Sequence, residues 1–116
     1  MDEQKLLKAG INYEAGLRRF SGKKELYEKF LNKFPSDKSY GNMEKALKAG
    51  DWDQAFCHAH TLKGVSGNLS MDELYTHLVP LAEALRNKQT EKVEPLAERV
   101  KISYEAAVEA LKQHRE

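Results

Sequence analysis

Apolar residues recur along this chain at helical spacing, and no stretch sustains the apolar–polar alternation typical of a half-buried strand. The spacing is clearest in the last third of the sequence. There, apolar side chains three or four residues apart continue almost to the end: Leu96, Val100, Tyr104, Val108 and Leu111. Only 9% of residues are aromatic, which also disfavours strands. The pattern predicts an all-α fold.

Capping residues and glycines divide this pattern into successive helices. Short helices are expected within residues 1–37, and the third of them is expected to bury Leu26, Phe30, Leu31 and Phe34 on one side. Because the connections are short, consecutive helices should pack as antiparallel neighbours. The sequence therefore predicts one domain, residues 1–116, in which the short N-terminal helices lie against an up-and-down antiparallel four-helix bundle of residues 38–116.

Two prolines fall inside the predicted helices of the bundle. Pro80 lies in the middle of the third bundle helix, where we expect a kink rather than two separate helices. Pro95 is expected in the first turn of the last helix, where a missing N–H costs least.

Composition and charge exclude several classes of protein. Lys and Arg total 19 against 18 for Asp and Glu, so the net charge of +1 disfavours nucleic-acid binding through bulk charge. The single cysteine, Cys57, excludes an internal disulfide and a multi-cysteine zinc site. No apolar run approaches the roughly 20 residues of a membrane span, and residues 1–5 do not resemble a secretory signal. We expect a monomeric cytoplasmic protein that binds neither nucleic acid nor membrane.

The stretch from residue 51 to residue 69 carries the chemistry. At about 100° per residue, one face of this helix, expected to be the core side, holds Ala55, His58, Leu62, Val65 and Leu69. His60 points nearly opposite. Around it on the outward face lie Phe56 one turn before, Lys63 and Gly64 one turn after, and Gly67 two turns after.

Two glycines beside His60 are unusual inside a helix. Each costs about 1 kcal/mol relative to alanine, and stability alone offers no reason for either. With no side chain at Gly64 or Gly67, another protein's backbone could approach the imidazole closely, and Lys63 lies within reach of an anionic group carried on His60. The pattern favours a phosphate-bearing histidine over a plain solvated helix face.

The neighbouring residues allow simpler interpretations. His58, on the predicted core face, is interpreted as a packed, hydrogen-bonded histidine rather than a second phosphorylation site, and Cys57 as a buried or half-buried thiol. Phe56 is interpreted as a docking contact, with packing against a neighbouring helix as the alternative. A small metal-binding bundle would need a carboxylate–histidine pattern, which appears only weakly at Glu73 and His77.

The run from Ala59 to Gly64, continuing through Gly67, Asn68 and Leu69, closely resembles the signature of histidine-containing phosphotransfer (HPt) domains. Residues 10–20 and 25–27 are similar to the N-terminal portion of many bacterial members, so the resemblance covers essentially the whole chain. One departure is Ser70, where the family often has glycine.

This resemblance implies a carrier in a two-component phosphorelay. His60 would accept a phosphoryl group from the aspartate of a receiver domain and pass it to a response regulator, with Lys63 offsetting the charge and Gly64 giving clearance. Phe56, Gly67 and Asn68 are the expected binding residues. No cofactor is expected in the chain itself, since Mg²⁺ would come from the receiver domain.

No ATP-binding motif is present, so the chain is not expected to be a kinase. The alternative function is an HPt-like docking module that binds a receiver domain without being phosphorylated.

Overall fold

The computed structural model of the protein describes residues 1–112. In that range every regular element is helical. The seven α-helices are α1 (Glu3–Lys8), α2 (Tyr13–Arg19), α3 (Lys24–Lys33), α4 (Ser39–Ala49), α5 (Trp52–Asn68), α6 (Asp72–Arg86) and α7 (Val93–Lys112). Single 3₁₀ turns, Phe34–Ser36 and Thr90–Lys92, precede α4 and α7. The predicted all-α class is confirmed; the last four residues of the predicted domain lie outside the described range.

Local sequence signals set most of the helix ends. The side chains of Asp2, Asn12 and Asp51 each accept a hydrogen bond from a backbone N–H in the first turn of the following helix. Gly50 ends α4 in the left-handed conformation, with φ +69°. Pro80 lies within one continuous α6, and Pro95 lies in the first turn of α7.

Helices α4 to α7 form the bundle, and their contacts give its antiparallel order. Gly67, at the end of α5, lies against Tyr75 at the start of α6. At the opposite end, Asp53 pairs with Lys88, whose Nζ lies 2.9 Å from the carboxylate. Helix α6 packs in turn against α7. Tyr40 of α4 stacks on Tyr104 of α7, with ring centroids 3.9 Å apart, and this contact joins the first and last helices.

The N-terminal helices are fixed to the end of α5. The buried Tyr27 hydroxyl of α3 donates a hydrogen bond to the carbonyl of Leu69 at 2.7 Å. The backbone N–H of Asn12 donates to the carbonyl of Ser70 at 2.9 Å. These bonds hold α2 and α3 beside the helix that carries His60.

The side of α3 that faces the core differs from the predicted one. Leu31 and Phe34 are buried as expected, but the third buried residue is Tyr27. Leu26 and Phe30, which were expected in the core, are 40% and 43% exposed. The buried side of α3 is rotated because Tyr27, when it is buried, removes a large ring from water and its hydroxyl bonds to the carbonyl of Leu69.

Gly16 of α2 leaves room for the Tyr27 side chain. A Cβ at residue 16 would overlap the Tyr27 ring and hydroxyl, which cannot retreat because the ring is buried and the hydroxyl is bonded to Leu69. We expect Gly16→Ala to lower the free energy of unfolding by about 1–3 kcal/mol or more, measured by urea denaturation. Gly41→Ala in α4 is the matched control, since a Cβ there meets nothing within 4 Å. Equal stability of the two variants would contradict this close packing.

Burial makes the stability of the protein sensitive to alkaline pH. Desolvation raises the pKa of Tyr27, with smaller contributions from Tyr13 and Asp72. The folded state thus favours the neutral phenol, so this contribution is complete below the ordinary tyrosine pKa of about 10 and is lost as pH rises above it. Between pH 8 and 11 we expect Tyr27→Phe to lose about 1 kcal/mol less stability than the wild type, measured by urea denaturation. Parallel losses in the two proteins would contradict this.

None of the helices in residues 1–112 is long and apolar enough to span a membrane.

Candidate functional site

Helix α5 is the scaffold of the candidate site, and both of its ends are capped. Asp51 accepts a hydrogen bond from the N–H of Gln54 at the start. At the end, the N–H of Met71 bonds to the carbonyl of Ser66 at 2.9 Å, and that of Ser70 to the carbonyl of Gly67 at 3.2 Å. This is a Schellman arrangement, with Ser70 at the left-handed position. Ser70 therefore replaces the expected glycine without changing how the helix ends.

His60 lies on the exposed face of α5, as the sequence predicts. Phe56, one turn earlier, stacks beside it with the ring centroids 5.9 Å apart and the planes 29° from each other. Phe56 is half-buried and packs against the core. The Phe56 ring supports one side of the imidazole, and part of the ring stays accessible. Phe56 can therefore both pack against the core and contact a docked partner.

Lys63 supplies a positive charge one turn after His60. Its side chain is half-buried, and within residues 1–112 its ammonium group has no carboxylate partner within ion-pair distance. The lysine charge is therefore available to an anion bound at His60.

The two glycines have different surroundings. Among residues 1–112, a Cβ on Gly64 would meet no atom within 4 Å, so the helix is bare there, as predicted. A Cβ on Gly67 would lie 3.2 Å from two ring atoms of Tyr75. The prediction of a bare surface is wrong at Gly67, where the missing side chain lets the Tyr75 ring pack against α5. Asn68 is exposed in the last turn of α5.

The core side of α5 is rotated from the predicted face. Its buried residues are Ala55, Ala59, Leu62 and Ser66. Three of these four side chains, Ala55, Ala59 and Ser66, are small, and small side chains let neighbouring helices approach closely. His58 is only half-buried and has no hydrogen bond to any residue the structure describes, so its assignment as a hydrogen-bonded core residue is wrong. Cys57, predicted to be at least half-buried, is exposed.

Two apolar residues near the exposed, His60-bearing face of α5 were not predicted from the sequence. Tyr75 and Val79 lie one turn apart on α6 and are 40% and 41% exposed. The contact of Tyr75 with Gly67 places this pair along the flank of α5. Leucines at similar spacing dominate the α6 pattern, so no sequence signal indicates that Tyr75 and Val79 remain exposed.

Comparison with protein families identifies the chain. The model of the Hpt domain family, described as "Hpt domain", matches residues 25–114. The chain belongs to the Hpt domain family. Comparison with curated proteins gave no match, and comparison with solved structures gave none either. Membership implies a histidine phosphotransfer role in phosphorelays and interaction with receiver domains or response regulators. Hpt domains are phosphotransfer carriers and not kinases.

The weak metal-binding pattern noted in the sequence corresponds to two neighbouring side chains, Glu73 and His77. His77 Nε2 lies 3.9 Å from Glu73 Oε1, one turn away on α6. Within residues 1–112 no group of three or more histidine, cysteine or acidic side chains is arranged to hold a metal ion.

Proposed function

We propose that His60 carries the phosphoryl group of this Hpt domain, accepting it from the aspartyl phosphate of one receiver domain and passing it to the aspartate of a response regulator. The observation that carries this proposal is the combination of an exposed His60, a bare backbone at Gly64 and the unpaired charge of Lys63 on one helix face. The protein has no kinase activity of its own in this account, and it acts as a monomer in the cytoplasm.

The transfer is a single displacement at phosphorus. The outer imidazole nitrogen, Nε2, attacks the phosphorus atom of the aspartyl phosphate. The P–N bond forms as the P–O bond to the aspartate breaks, and the aspartate leaves as a carboxylate. The ring keeps its proton on Nδ1, so no separate base is required for this step. The reverse displacement delivers the phosphoryl group to the next receiver domain.

The surroundings of His60 fit the requirements of such a displacement, which are alignment and charge neutralisation. Contact with Phe56 restricts the orientation of the imidazole. Open space at Gly64 admits the receiver backbone. Lys63 offsets the negative charge on the phosphoryl oxygens. Mg²⁺, held by the carboxylates of the receiver domain, would neutralise further charge on the phosphoryl group.

The second candidate is a module that docks a receiver domain without being phosphorylated. It accounts for the exposed apolar residues beside α5, Tyr75 and Val79. It gives no reason for a free lysine charge one turn from an exposed histidine. The carrier function is therefore preferred.

A transfer assay tests the proposal. A receiver domain is charged with radiolabelled acetyl phosphate and Mg²⁺, freed of the small donor, and mixed with the Hpt domain. We expect label to move to the Hpt domain in a form that is lost in acid and retained in alkali, as a phosphoramidate is. Binding of several charged receiver domains without movement of label would favour the docking module instead.

Lys63 should affect the rate of transfer without affecting the fold. We expect Lys63→Ala to slow transfer about tenfold, corresponding to about 1.4 kcal/mol of transition-state stabilisation, because the anion loses the lysine charge one turn away on the same helix. Single-turnover kinetics measure this. Lys88→Ala is the control, since that lysine pairs with Asp53 at the far end of the face. Equal rates in the two variants would show that Lys63 is an ordinary surface lysine.

A further inference from the structure

A groove opens beside the last turn of α5, between that helix, α3 and the segment leading to α4. It has a volume of about 440 Å³. Its lining is mainly apolar and includes Phe20, Phe30, Val65 and Leu69. Phe30, at the edge of the groove, is 43% exposed.

The groove reaches the exposed surface of α5, the helix that carries His60. Asn68 belongs to both, since it lines the groove and is exposed on the helix. It lies eight residues after His60, or about 12 Å along the helix axis. This distance is short enough for one globular partner to contact both His60 and the groove.

An oriented arginine lies in a cleft that shares Phe20 and Asn68 with the groove. Arg19 borders a small adjoining cleft with Phe20 and Asn68. Its Nε donates a hydrogen bond to Ser70 Oγ at 3.1 Å, and it has no carboxylate partner among residues 1–112. Ser70 is buried in the left-handed conformation, at φ +54°, where glycine would be less strained. The serine hydroxyl thus fixes the guanidinium and leaves its two terminal nitrogens for a partner.

The charge around the groove is positive. Lys33 and Arg19 contribute cations there, and neither pairs with a carboxylate among residues 1–112. The carboxylate in the lining, Asp37, accepts a hydrogen bond at 2.8 Å from the N–H of Ser39, the first residue of α4. Because Nε is bonded to Ser70, Arg19 keeps its terminal edge, whose two N–H groups can bind a carboxylate with two parallel hydrogen bonds.

We propose that this groove and Arg19 form a second anchor for the receiver domain, taking an apolar side chain of the receiver in the groove and a neighbouring carboxylate on Arg19. The inference rests on the proposed function for its choice of partner. It makes the N-terminal helices part of the recognition surface. Arg19 is a binding residue and Ser70 a positioning residue, and neither takes part in the displacement at phosphorus.

Affinity and transfer, measured separately, test the anchor. A receiver domain is titrated by calorimetry against the wild type, Arg19→Gln and Phe30→Ser, and the transfer rate is measured at saturating receiver. We expect each variant to weaken binding about tenfold while the saturated rate is unchanged. Ser70→Ala should weaken binding by a smaller factor, because the guanidinium is kept but loses its support. The effect of Arg19→Gln should shrink at high salt.

Two matched control variants test whether any loss of affinity is specific to Arg19 and Phe30. Arg18→Gln changes a neighbouring arginine that pairs with Glu14, and Ile102→Ser removes a 61% exposed apolar side chain on α7; neither should alter binding. The anchor is overturned if Arg19→Gln and Phe30→Ser bind the receiver domain with unchanged affinity and have the circular dichroism spectrum of the wild type. This holds even if transfer to His60 occurs. Weakened binding without any transfer supports the anchor and overturns the carrier function. Absence of binding to all receiver domains overturns both.

Discussion

Replacing His60 by glutamine is expected to abolish phosphoryl acceptance completely while leaving the protein folded. Glutamine keeps a polar side chain of similar reach but has no nucleophilic nitrogen, so no P–N bond can form. His60 is exposed and makes no hydrogen bond within the described chain, so its loss removes little from the core. The label transferred from a charged receiver domain should fall to background, and circular dichroism and thermal unfolding should match those of the wild type.

The other histidines provide the controls for this result. His58→Gln changes a half-buried histidine two residues away on the same helix, and His77→Gln changes one that lies beside Glu73 on α6. Both variants should accept phosphate at the wild-type level. Retained labelling of His60→Gln, or loss of labelling in His58→Gln, would assign the phosphate to a different residue.

A glutamate at residue 64 is expected to block transfer from the receiver domain almost as completely. The space above Gly64 is open, so the side chain can be accommodated, and the helix should gain about 1 kcal/mol on losing a glycine. On the outer face, however, the new side chain stands between the imidazole and an approaching receiver and places a negative charge beside the phosphoryl oxygens. We expect transfer to slow by at least about a hundredfold, or about 2.7 kcal/mol.

Gly41→Glu is the matched control for steric blockage. Gly41 is also inside a helix and a Cβ there also meets nothing within 4 Å, but it lies on α4 rather than beside His60. Both variants should be folded, and phosphoramidate, a small donor, should still label His60 in each. Normal receiver transfer in Gly64→Glu would show that the bare patch is not required for docking.

Much of the fold could be predicted because its signals are local. Asn12 and Asp51 cap the helices they precede, and Gly50 ends α4 as its position indicates. Such signals depend on residues within one turn of each other. For this reason the order and approximate limits of the helices follow from the sequence.

The rotation of α3 and α5 about their axes could not be predicted in the same way. Apolar size favours Phe30 and Val65 as core residues, yet the buried positions include Tyr27, Ala59 and Ser66. Which face is buried depends on how closely neighbouring helices approach, and small residues permit the closest approach. The spacing of apolar residues along the sequence does not indicate the distance between neighbouring helices.

The candidate site was predictable where it lies on one helix and not where it joins distant segments. The arrangement of His60, Lys63 and Gly64 follows from helical spacing. The contact of Gly67 with Tyr75 joins two helices, and the bond from Arg19 to Ser70 joins residues 51 apart. Long-range contacts of this kind depend on tertiary packing, so only the structure brings them to light.

The proposed carrier function requires a phosphoryl group on a nitrogen atom of His60, and ³¹P NMR detects such a P–N bond. The protein is mixed with a receiver domain, Mg²⁺ and acetyl phosphate, and the spectrum is compared with that of His60→Gln. We expect a phosphoramidate resonance in the wild type that is absent from the variant. No such resonance in the presence of receiver domains that bind, or the same resonance in His60→Gln, would contradict it.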